Sequence, residues 1–69
     1  MNTEQIKAIL KGCSASLQVV LSDANYQKIQ QHEYFSTNND LMLGDAVQAL
    51  NEVLAAIDDV EYLALTKLN

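Results

Sequence analysis

The chain has 69 residues, of which 49% are hydrophobic, and carries a formal net charge of −5 from nine acids and four lysines, with no arginine. That balance argues against nucleic-acid binding, which depends on a cationic footprint, and equally against an anionic membrane surface as partner. Cys13 and His32 each stand alone in kind, so an intrachain disulfide is impossible and a zinc site lacks its ligand set.

The hydrophobic content is that of an ordered globular chain. No apolar run approaches the 18 residues or so of a membrane span; Val53–Ile57 is the longest. The opening Met1-Asn2-Thr3-Glu4-Gln5 lacks the basic-then-apolar form of a signal peptide. A single unpaired cysteine, expected to be buried, suits a reducing compartment, so a cytoplasmic location is expected.

The first predicted element is a helix from Thr3 to Leu21. Asn2 or Thr3 can cap it, and Gln5 stands where a capping-box partner of Asn2 belongs. Ile6, Ile9, Leu10, Cys13, Leu17, Val20 and Leu21 fall within an arc of roughly 120°. Lys7, Lys11, Ser14 and Gln18 are assigned to the other side. Ser22 or Asp23 can then cap a shorter helix from Ala24 to Glu33, with Tyr26 and Ile29 as its core residues. Tyr34 to Asp40 is a polar, turn-forming connection.

The last element, Leu41 to Leu68, dominates the chain. Wound at about 3.6 residues per turn, it lines up Leu43, Val47, Leu50, Leu54, Ile57 and Leu68. Ala46, Ala49, Val53, Val60 and Ala64 widen that seam to an arc of about 160°, more than one neighbouring helix covers. Asp45, Gln48, Asn51, Glu52, Asp58 and Asp59 take the opposite face. Asn38, Asn39 or Asp40 is the expected cap. Glu61 breaks the pattern, because an unbroken helix points it into the apolar face. Asp58-Asp59-Val60-Glu61 has the form of a capping box that would restart the helix there. The continuous helix, about 42 Å long, is the favoured alternative.

Chemistry is sparse. Cys13 lies mid-stripe, the setting of a structural thiol and not of a nucleophile. His32 and Glu33 are sequence neighbours and do not share a helix face. The serines lack a base and an oxyanion loop, and two glycines cannot build a phosphate cradle. Acyl carrier proteins share the size, acidity and helicity, but they need an Asp-Ser-Leu at a helix start, whose serine receives the phosphopantetheine arm. The nearest stretch, Leu43-Gly44-Asp45-Ala46-Val47, has no serine, which excludes that identity.

The expectation is therefore an all-α protein: a small antiparallel bundle of three helices, or four, in one domain with a long C-terminal helix. A domain this small rarely gains more than about 3–5 kcal/mol from its core. With disulfide and metal excluded, a homodimer is expected. Leu43, Val47, Leu50, Val53, Leu54, Ile57 and Val60 are the candidate dimer or partner seam. Asp45, Glu52 and Asp59, seven residues apart, form a candidate acidic partner face. Tyr34, Phe35 and Tyr62 are candidate aromatic contacts. The function these imply is non-enzymatic and needs no cofactor: a small cytoplasmic inhibitor, adaptor or regulator that binds another protein, of a kind common on phages and mobile elements. The alternative is a regulator linked to nucleic acid, either a transcription regulator or an acidic mimic that blocks a DNA- or RNA-binding protein.

Overall fold

The computed structural model describes the backbone of residues 1–67 and the side chains of residues 1–64; Leu68 of the expected seam lies outside the described residues. Within them the chain is all-helical, with α1 at Thr3–Leu21, α2 at Ala24–Gln30 and α3 at Leu43–Lys67.

α1 begins on the expected capping box. Gln5 N–H donates to Asn2 Oδ1 at 2.8 Å, and Asn2 N–H donates to Gln5 Oε1 at 2.9 Å. It ends where the N–H and Oγ of Ser22 both donate to the Gln18 carbonyl. α2 starts on Asp23, whose carboxylate accepts from Tyr26 N–H at 2.9 Å. It stops three residues short of the expected Glu33. His32 N–H donates to the Ile29 carbonyl and Phe35 N–H to that of His32, which turns the chain. A short helix with a thin apolar face gains too little from packing to extend, and among the described residues α2 meets no helix but α1.

The start of α3 differs from expectation. Asn38–Asp40 form a single 3-10 turn, with Asn39 and Asp40 in the left-handed region at φ 59° and 55°. Asn and Asp tolerate that region better than most residues. The turn uses up the three expected capping residues, and Leu41 follows it in extended form. Asp45 serves the helix start instead, its Oδ2 accepting from Met42 N–H at 2.8 Å. From there α3 runs 25 residues and passes Asp58 to Glu61 without a stop.

α1 and α3 pack antiparallel along one seam. The covered residues of α1 are Lys7, Leu10, Ser14, Leu17 and Leu21; those of α3 are Leu43, Val47, Leu50, Leu54, Ile57 and Glu61. Both sets advance by alternating steps of three and four, the heptad spacing of a coiled coil. Lys7 and Ser14, expected on the polar side of α1, are thus in the seam. Cys13, expected to be buried, is exposed.

The molecule measures 56 × 22 × 18 Å. α3 alone spans about 37 Å, so α2 and the connection carry the molecule beyond the end of the α1–α3 hairpin. Among the described residues no hydrophobic side chain is fully buried; Ser14, 4% exposed, is the buried residue.

Two measurements check this packing. Gly12 and Gly44 have negative φ, and a Cβ added at either would meet open space, so neither is required by a turn or a close approach. Gly12→Ala is expected to stabilise the protein by about 0.5–1 kcal/mol, seen as a higher urea midpoint. Leu50→Asp sets a charge against α1 and is expected to cost several kcal/mol, seen as a fall in melting temperature.

Candidate protein-interaction face

The seam is polar at its open end and at its middle. Lys7 Nζ lies 2.7 Å from Glu61 Oε1, 3.2 Å from Asp58 Oδ1 and 3.6 Å from Glu4 Oε1. This pairing explains how Glu61 sits in an unbroken helix: its carboxylate meets the one cation of the seam at the rim. The hydrogen bond to Glu61, then that to Asp58, holds the Lys7 ammonium above the usual lysine range, against an opposing effect of desolvation. At mid-seam, Ser14 Oγ donates to Asn51 Oδ1 at 3.1 Å and accepts from Gln18 Nε2 at 3.1 Å. These bonds fix the levels of the two helices, so Cys13 lies at about the level of Val53.

A second pair of stripes flanks the seam. On α1 it is Ile6, Ile9, Cys13, Ser16 and Val20, each one residue before a seam position. On α3 it is Met42, Ala46, Ala49, Val53, Ala56 and Val60, again each one residue before, with Leu63 continuing the spacing. One residue is about 100° of helix rotation. Because the helices are antiparallel, the same offset carries both stripes to the same side of the hairpin. They make one open face, on which Ile9 is 51% exposed, Val53 49% and Val60 65%. The opposite side bears Ala8, Lys11, Ala15 and Gln18 of α1 with Gln48, Asn51, Asp58 and Tyr62 of α3. The hairpin is apolar on one broad side and mixed polar on the other.

The seven expected seam residues are therefore divided. Leu43, Val47, Leu50, Leu54 and Ile57 turn toward α1 of the same chain, while Val53 and Val60 belong to the open face. A single wide arc read from the sequence is in fact two stripes with two different neighbours. On α1, Ile6, Ile9, Cys13 and Val20, expected in the core, belong to the open face as well. The sequence does carry the signal that there are two stripes, since both repeat at heptad spacing one residue apart, but that spacing does not assign either of them to α1.

Asp45, Glu52 and Asp59 are all exposed and run along the back of α3, away from the seam, at the outer edge of the open face. The matching outer edge on α1 is Gln5, Gly12 and Val19, without charge. The aromatic candidates do not converge. Tyr34, 83% exposed, and half-buried Phe35 belong to the connection beyond α2, whereas Tyr62 is near the far end of α3. Tyr34 N–H donates to His32 Nδ1 at 3.1 Å, and the two rings lie 5.2 Å apart. Lys28, Ile29, His32, Tyr34 and Phe35 line a shallow apolar depression there.

Among the described residues no group of three or more His, Cys, Asp or Glu is placed to hold a metal ion, and no helix is long and apolar enough to cross a membrane. Comparison with known family models, with curated proteins and with solved structures gave no match.

Lys7→Met leaves Asp58 and Glu61 without their cation and is expected to lower the melting temperature. Lys7→Met with Glu61→Leu is expected to restore it, since an apolar pair replaces a seam ion pair without leaving a lone charge. The Lys7 contribution has a defined pH dependence. A raised folded-state pKa gives stability that is complete below the ordinary lysine value and is lost as pH rises through the folded one. The wild-type minus Lys7→Met difference in melting temperature should therefore stay constant from pH 7 to about pH 9.

Proposed function

We propose that this chain is a non-enzymatic protein-interaction module, a small acidic inhibitor, adaptor or regulator that acts on another protein in the cytoplasm and works as a homodimer. The observation that supports the reading is the open apolar face on a hairpin with no fully buried hydrophobic side chain among the described residues. A contiguous exposed apolar face marks a surface that another protein covers. A chain whose own packing leaves its aliphatic side chains half in water gains its stability from that cover.

The target protein meets a different surface in this reading. The ridge of Asp45, Glu52 and Asp59 stays on the outside whatever covers the open face, and carboxylates at seven-residue spacing steer and orient a basic patch. The lysines favour no nucleic-acid surface: Lys7 is engaged by three carboxylates, and Lys11 and Lys28 lie on different helices.

The test is capture of partners from a host lysate, eluted with a salt gradient, using the native chain beside a Glu52→Gln/Asp59→Asn variant. Asp45 is left in place because it serves the start of α3. One stoichiometric protein, released at moderate salt and captured several-fold less by the variant at unchanged melting temperature, is the expected result. Capture of nothing at any salt would leave only a self-associating domain.

A further inference from the structure

We infer that the open face is covered by a second copy of the chain, related by a two-fold axis parallel to the helices, so that α1 of each copy lies on α3 of the other. The inference rests on the homodimer proposed above and adds the face that the two copies share and the pairing of their helices.

Area fits a second copy as the occupant. A compact monomer of 7.6 kDa exposes about 4,300 Å² by the size scaling of folded chains, whereas this chain exposes 5592 Å². The excess is about 1,300 Å² per chain, or ~2,600 Å² for a pair, within the 2,000–5,000 Å² or so that obligate homodimers bury. The face is also set about 100° from the seam on both helices. Each helix then meets two neighbours at nearly a right angle, which is the requirement of a square four-helix bundle made from two hairpins.

Charge identifies the pairing. Two hairpins can meet face to face with like helices opposed or with α1 opposed to α3. From Leu43 to Leu63, α3 holds Asp45, Glu52, Asp58, Asp59 and Glu61 and no cation. Opposing α3 with α3 would set two ridges of Asp45, Glu52 and Asp59 side by side along the edge of the contact. Opposing α3 with α1 sets each ridge beside the uncharged edge of Gln5, Gly12 and Val19. The second arrangement avoids the like-charge contact. It also gives the 72%-exposed Val19 a neighbour.

The register follows. Rotation about an axis parallel to the helices leaves every level unchanged, so each copy's α1 meets the other's α3 at the levels already set within the hairpin by Ser14–Asn51 and Lys7–Glu61. Ile9 then comes onto Ala56 of the second copy, Val20 onto Ala46, and Cys13 onto Val53. Branched side chains of α1 meet alanines of α3, which lets the two layers approach closely.

The experiment uses the full chain in two steps. Sedimentation equilibrium at micromolar concentration reads the mass. Then the native chain, whose cysteine is Cys13, is unfolded and refolded with an equal amount of a Cys13→Ala/Val53→Cys chain bearing a size tag, and oxidised. The expected mass is that of two chains, and the expected product is the mixed disulfide between Cys13 and the introduced cysteine. It should exceed either like-with-like disulfide by about tenfold, because the like pairs sit on diagonal helices beyond disulfide reach. A two-chain mass with only like-with-like disulfides would overturn the pairing, while leaving protein cover of the face standing. A folded chain of single mass would overturn this inference together with the homodimer of the proposed function, and the capture experiment would then decide the interaction module by itself.

Discussion

The α1–α3 seam is a single stripe wide on each helix, and that width governs everything else about the molecule. A stripe of alternating three- and four-residue steps is enough to align two helices and exclude water from the line between them. It is not enough to enclose a side chain. Leu10, Leu17, Leu21, Leu50, Leu54 and Ile57 each keep one side toward solvent, and the residue that does become buried, Ser14, is buried because it is small and central. Burial of apolar area is worth about 25 cal/mol per Å², and the ordering of each residue costs about 1.5 kcal/mol. A two-helix layer therefore recovers little of what its ordering costs, and a further layer is the direct remedy.

How the helices are legible in the sequence, and where legibility ends, follows from the range of the forces involved. α1 can be read to the residue because its ends are decided locally, by Asn2 with Gln5 at one end and Ser22 at the other. α3 can be read as one long helix because its apolar period persists over many turns. Its start is harder to read, because several residues with equal capping chemistry compete there. Asn39 and Asp40 enter a left-handed turn, and Asp45 supplies the acceptor from inside the helix. The end of α2 is obscure because its apolar face is thin, and the turns that follow it, His32 N–H to the Ile29 carbonyl and Phe35 N–H to that of His32, begin with residues that could equally continue a helix.

The candidate site is legible in composition but not in allocation. Counting apolar residues on α3 shows that there are too many for one neighbour. Deciding which of them serve α1 and which remain open needs the rotation of the helix about its own axis, and a shift of one residue reverses the answer. The two polar residues of α1 that lie in the seam set that rotation. Lys7 and Ser14 look like surface residues by type, and only their partners, Glu61 and Asn51, make them seam residues. Residue type groups Val53 and Val60 with Leu50 and Leu54, and for the same reason it leaves Lys7 and Ser14 out. Type is a poor guide to direction on a helix whose neighbours are not yet known.

Those polar positions also explain why the hairpin has one register. A purely apolar heptad seam is nearly indifferent to a slide of seven residues, since each leucine finds another leucine. Here a slide in one direction would carry Lys7 from Glu61 to Leu54, where the ammonium would lose both hydrogen-bonding carboxylates while remaining largely covered. A slide in the other direction would carry Ser14 from Asn51 to Asp58 and replace the amide partner of its hydroxyl with a carboxylate. A lone polar group in a seam costs more than the pair gains, so the penalty falls on the wrong registers and not on the right one. Register matters beyond the hairpin, because it decides which residues of the two open stripes are level with one another. The same two polar contacts that align α1 with α3 thereby fix the pattern of large and small side chains that the open face presents to whatever covers it.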